Sequence, residues 1–144
     1  MITRESIVAE ARSWIGTPWH HAARVKGVGV DCVGLPVGVL RVCGAVALDF
    51  DVPPYVQSPD GTMIKTCSRH MIQIKQSEMQ IGDLIVLASD VVPQHLGIVG
   101  DYCHGGLSII HAANNARPPR VIETRLMFSR TQRFIAAFRL PGVE

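Results

Sequence analysis

No stretch of the 144 residues is long and apolar enough to match the roughly 20 residues of a membrane-spanning helix. The opening "MITRESIVAEARSWIG" carries Arg4, Glu5, Glu10 and Arg12, so it lacks the uninterrupted apolar core of a secretion signal. No CxxC pair occurs, and Cys32, Cys43, Cys67 and Cys103 are too few and too scattered for a disulfide framework or a zinc ribbon. An excess of one charge is missing as well: 14 basic and 12 acidic side chains leave +2, and no basic cluster is dense enough to track phosphates. Repeats and low-complexity segments are absent. These gaps argue against membrane insertion, a stapled mini-fold and nucleic-acid binding, and nothing in the chain calls for a metal or another cofactor. With no signal peptide, a role outside a cytoplasm would require delivery by something else.

What is present suits one compact domain over residues 1–144, since 47% of the residues are hydrophobic and only 18% charged. Ile7, Val8, Ala11, Trp14 and Ile15 recur at helical spacing, with Thr3 as a cap and Gly16 and Pro18 as a stop. A loop, "TPWHHAARVKGVGV", then leads to Asp31. From Cys32 to Cys43 the run "CVGLPVGVLRVC" predicts a buried helix capped by Asp31, although Pro36 removes the bond to the Cys32 carbonyl and should distort or delay the first turn. The proline-rich connector "DFDVPPYVQSPDG" precedes a further helix whose face is drawn from Met63, Ile64, Cys67, Met71 and Ile74. The rest, "DLIVLAS", "HLGIVG", "LSIIHAA", "RVIETRL" and "RFIAAFRL", reads as short antiparallel strands. Helices first and sheet afterwards give an α+β architecture, with the N-terminal helices packed on a C-terminal antiparallel sheet.

Three residues stand out chemically. Cys32 at a helix N-terminus would meet free N–H groups and positive dipole potential, which lower a thiol pKa, and its own N–H could hold an oxyanion. "DYCHGG" joins two strands at hairpin length; if Val99 faces Leu107, His95 lies directly across from His111. Each histidine alone reads as a strand residue at the rim of the core. Together with Cys32 they supply a nucleophile, a base and a group to orient the base. Cys43, Cys67 and Cys103 read as packing residues, His20 and His21 as solvated loop residues, and Asp83 as a turn residue.

The same residues resemble a known family, the NlpC-type cell-wall peptidases, papain-like bacterial cysteine peptidases, and in particular their phage-encoded, tail-associated branch. "ARSWIGTPW" is similar to the family's opening segment and "VDCVGL" to its nucleophile motif. "QIGDLIVL", "QHLGIV" and "IIHAAN" are similar to its central strands, and "FIAAFRLPG" to the closing strand of the phage branch. The resemblance covers nearly the whole chain in order. It implies a papain-like fold and hydrolysis of an amide in peptidoglycan stem peptides, commonly between γ-D-glutamate and a diamino acid. Cys32 would be nucleophile, His95 general base and later acid, and His111 the orienting residue. It also implies action on the cell wall from a virion or tail, or after lysis, with tail proteins as partners.

On the substrate side the resemblance points to Asp31, Trp19 and Val33. Asp31 matches the aspartate that binds a free N-terminal amine of the stem peptide in some members, beside its reading as the helix cap. Trp19 stands where the family usually has tyrosine, Val33 where it has serine, and His20, His21 and Ala22 where Trp-Gly-Gly is common. Two other readings compete with hydrolysis. One is a cell-wall or tail-binding module on the same fold without catalysis; the other is zinc held by Cys32, His95 and His111 with one open position.

Overall fold

A computed structural model describes residues 2–55, 62–90 and 94–144. Helix α1 spans Arg4–Arg12; the Thr3 hydroxyl accepts from the Ser6 N–H at 3.0 Å, and the Ser6 hydroxyl accepts from the Thr3 N–H in return. Ile7, Val8 and Ala11 are buried, and Trp14 follows into the core after the helix ends. Ile15, expected on the same face, is exposed because the chain has already left the helix and turns through Gly16 at φ +92°. The expected loop contains a small ribbon, β1 (Arg24–Val25) and β2 (Gly29–Val30).

The second helix, α2, spans Gly34–Val42, two residues later than its apolar run begins, as the position of Pro36 requires. Asp31 nevertheless caps it: its carboxylate accepts from the N–H groups of Val33 at 3.2 Å and Gly34 at 2.8 Å, and its carbonyl accepts from Leu35 at 3.1 Å. Gly38 lets α1 and α2 approach closely, since a Cβ there would sit 2.4 Å from Cζ2 of the Trp14 indole. Helix α3 is Thr62–His70, and the chain then enters strand β3 (Ile72–Ile74), so Ile74 belongs to the sheet and not to the helix face. Of the proline-rich connector, positions 56–61 lie outside the described residues.

All five strands read from the apolar runs are present, as β4 (Leu84–Ala88), β5 (His95–Asp101), β6 (Leu107–Ala113), β7 (Arg120–Arg125) and β8 (Arg133–Arg139). With β3 they form one antiparallel sheet of order β3-β8-β4-β5-β6-β7. Alternation sends Ile98, Ile110 and Ala112 to the face covered by α1 and α2, and Leu84, Val86, Leu96 and Phe138 to α3 further along that face. Ile85, Leu87, Val99 and Ile109 form a smaller cluster on the other side. The fold is thus α+β, with its helices on one face of an antiparallel sheet. Asp83, fully buried, ties the layers together by accepting from Arg4 at 3.0 Å and from Arg139 at 3.0 and 2.8 Å.

Candidate active site

Cys32 leads into α2 at the wall of a cavity of about 1090 Å³ that is also lined by Trp19, His21, Asp31, Val33, His95 and His111. The histidines come from the open end of the β5–β6 hairpin. There the cavity wraps round the strand ends, taking Leu96 and Ala112 from the helix-side alternation and His95 and His111 from the other. Every candidate residue named from the sequence therefore borders one space.

The register that brings the two imidazoles together differs from the expected one. Val99 faces Ile109, not Leu107, because the strands run on to the Asp101–Leu107 pair and close through a turn of five residues with Gly105 and Gly106 at positive φ. His111 is then level with Gly97, and His95 is its diagonal neighbour. An offset of two residues keeps both rings on one face. Nε2 of His95 and Nδ1 of His111 share a hydrogen bond, with ring centroids 4.7 Å apart and planes at 78°. Gly97 leaves the space between them: a Cβ there would lie 3.3 Å from Cβ of His111 and 2.5 Å from Cγ1 of Ile109.

The electrostatics correct a second expectation. Burial and then the neighbouring Asp31 charge push the Cys32 thiol up to about 11; the N–H groups of Leu96 and of Cys32 itself, and Arg24, favour the thiolate without cancelling this. The helix N-terminus does not activate the sulfur because the Asp31 carboxylate has already taken its N–H groups and brought a negative charge beside it. Burial, and then the adjacent His111 ring, holds His95 well below the ordinary imidazole value, and burial alone does the same to His111. Thiol and both rings are uncharged at neutral pH.

Asp31 itself is only 2% exposed. Beyond the two helix N–H groups it accepts from the Ala22 N–H at 2.7 Å, Arg24 Nη1 at 3.2 Å and the Tyr55 hydroxyl at 2.6 Å. The Arg24 guanidinium also lies over the Tyr55 ring at 5.5 Å, and His21 meets that ring edge-on at 5.6 Å. Tyr55 was not legible as a site residue, since it sits in a proline-rich connector with no periodicity. His21, read as a solvated loop residue, borders the cavity, with Nδ1 3.9 Å from the Asp31 carboxylate. Trp19 is half-buried, its backbone N–H donating to the Pro119 carbonyl, and Val33 is half-buried at the start of α2. Of the remaining cysteines, Cys43 is half-buried and Cys67 buried, whereas Cys103 is exposed in the β5–β6 turn. Among the described residues no three His, Cys, Asp or Glu side chains are grouped to hold a metal ion.

No protein-family model matches the chain, and no curated protein matches it. Solved structures do. The NlpC/p60 domain of the peptidoglycan hydrolase SagA superposes with a TM-score of 0.64 at 22% identity, over 96% of this chain and 100% of that one. An NlpC/p60 family protein from Bacillus cereus ATCC 10987 superposes with a TM-score of 0.65 at 20% identity, over 96% of this chain but 40% of that longer one. An N-acetylmuramoyl-L-alanine amidase from Bacteroides uniformis ATCC 8492 gives 0.59 at 10% identity, covering 95% of this chain and 98% of that one. At these identities the likeness is one of fold: the chain has the papain-like fold of NlpC/p60 domains.

Proposed function

We propose that the chain is a cysteine peptidase that hydrolyses an amide in peptidoglycan stem peptides, with the γ-D-glutamyl–diamino acid bond as its target. One observation carries this reading: a cysteine entering a helix and a hydrogen-bonded pair of histidines, 63 residues away at the nearer ring, border the same cavity on an NlpC/p60 fold. Peptidoglycan as substrate is suggested by the structural neighbours, which include a peptidoglycan hydrolase and an N-acetylmuramoyl-L-alanine amidase.

In this mechanism the shared bond decides the tautomers. A proton on Nε2 of His95, donated to Nδ1 of His111, leaves Nδ1 of His95 free to accept the thiol proton. The sulfur then attacks the amide carbon, and the oxyanion is held by the Cys32 N–H. His95 returns its proton to the departing amine, leaving a thioester on Cys32. Water, deprotonated by His95, hydrolyses the thioester and regenerates the thiol. The resting pair is neutral, so the thiol proton moves as attack proceeds, and no thiolate–imidazolium pair exists beforehand.

The Asp31 carboxylate accepts from Arg24, Tyr55 and three backbone N–H groups and so builds the site, and its place on the cavity wall keeps it the candidate partner for a free amine of the stem peptide. Action from a phage tail, or after lysis, is part of the proposal and follows from the resemblance alone. The neutral thiol also favours a second reading, a wall-binding module without turnover. A panel of defined muropeptides digested with the protein and read by mass spectrometry separates the two. Hydrolysis yields a new γ-D-glutamyl carboxylate and a new diamino acid amine; binding of muropeptides with every one left intact would establish the module instead.

A further inference from the structure

The side of the cavity formed by α3 carries chemistry that the hydrolytic machinery does not use. Thr62, Lys65, Thr66 and Arg69, at helical spacings of three and four, all border the cavity, while Ile64 turns into the core and Cys67 touches both. Among the described residues, the charged side chains around this space, apart from histidines, are Asp31, Lys65 and Arg69. Asp31 is matched by the half-buried Arg24, so among the described residues the two α3 cations give this side of the cavity its positive charge. Neither has an ion-pair partner among the described residues. Both are exposed on one helix face, and two like charges one turn apart repel and present a joint positive field at the cavity's edge.

We infer that Lys65 and Arg69 form a carboxylate-binding subsite, so that the enzyme selects a peptide with a free carboxylate beside the scissile amide over the same peptide with that group amidated. A bridging carboxylate relieves the repulsion, and the guanidinium offers it a bidentate partner. Thr66, on the same stripe, adds a hydroxyl group that bonds a peptide without regard to charge. The inference rests on the proposed function for the identity of the cavity as the substrate site, but its test does not depend on turnover.

The test uses full-length protein carrying Cys32→Ala and two synthetic γ-glutamyl peptides that differ only in an α-carboxylate or an α-carboxamide. Calorimetric titration is expected to give roughly tenfold tighter binding of the acid. That advantage should shrink at about 0.5 M salt. It should fall to within about twofold when Lys65→Gln and Arg69→Gln are added, with the melting temperature reporting that the fold is kept. Equal affinities, a preference that survives both substitutions, or inorganic phosphate binding more tightly than the acid peptide would each overturn the subsite. Wild-type protein separates this from the parent reading. Turnover of both peptides with equal kcat/KM removes the subsite and keeps the hydrolase, whereas charge-dependent binding without turnover of either keeps the subsite and removes the hydrolase.

Discussion

His95 and His111 share a hydrogen bond without being partners in the β5–β6 ladder: His111 stands level with Gly97, and the His95 ring reaches it on the diagonal. The bond depends on a residue with no side chain being placed between them. In the proposed mechanism His111 orients His95 and fixes its tautomer, so the two should behave as a unit.

Replacing His95 with Ala is expected to lower muropeptide kcat by roughly a thousandfold or more, and His111→Ala by less. The double variant should be no slower than His95→Ala alone. Multiplicative losses in steady-state assays of the three variants would show that the rings act independently.

Thiol reactivity follows from the raised Cys32 pKa. In protein with Cys43, Cys67 and Cys103 replaced by Ser or Ala, iodoacetamide should label Cys32 slowly at neutral pH and faster with rising pH, with the midpoint near 11. Rapid labelling at mildly acidic pH would reveal a resting thiolate and contradict the assigned electrostatics.

Stability should fall in acid by a known route. His95 and His111 are depressed in the folded state, so the unfolded chain binds more protons below its ordinary imidazole value of 6.5. Stability attributable to the neutral rings is present above that pH and is lost as pH falls towards their folded values. Urea unfolding from pH 7 to pH 4 should show this loss, and His111→Asn should flatten it; an unchanged slope would mean that the rings are not held neutral by the fold.

The Asp31 cluster and the Gly38 contact test the scaffold. Asp31→Asn leaves the half-buried Arg24 with Asp51 as its remaining carboxylate and weakens the α2 cap, at roughly 2 kcal/mol. Tyr55→Phe removes one hydrogen bond to that carboxylate, at about 1–2 kcal/mol. Gly38→Ala drives a methyl group into the Trp14 indole, itself 3% exposed, and should cost roughly 1–3 kcal/mol by overpacking. Denaturant midpoints for the three variants check the order; a Tyr55→Phe protein less stable than Asp31→Asn would displace Asp31 as the hub.

Strands of the sheet were legible because branched-aliphatic runs are bounded by residues that break them, and the delayed start of α2 because Pro36 lacks an N–H. The end of α3 was not: Met71 still bonds back to Cys67 at 2.9 Å, and helical spacing alone could not show that pairing with β8 would take Ile72–Ile74. The ribbon of β1 and β2 has two residues per strand, too few for alternation to appear. For the histidines, parity along the strands was readable and register was not, because a turn of five residues and one of seven leave the same faces. Dipole reasoning from sequence missed the Cys32 environment because it counted the free N–H groups of α2 and not the carboxylate that occupies them. Tyr55 and Arg24 reach Asp31 only through tertiary structure.

The most direct test compares peptide release from defined muropeptides by the wild-type chain and by Cys32→Ala, at matched concentration and with matched melting temperatures. The account predicts release by the wild type and a rate roughly a thousandfold lower or less in the variant. Release by Cys32→Ala within tenfold of the wild type would contradict it, since the amide would then be cut without the sulfur.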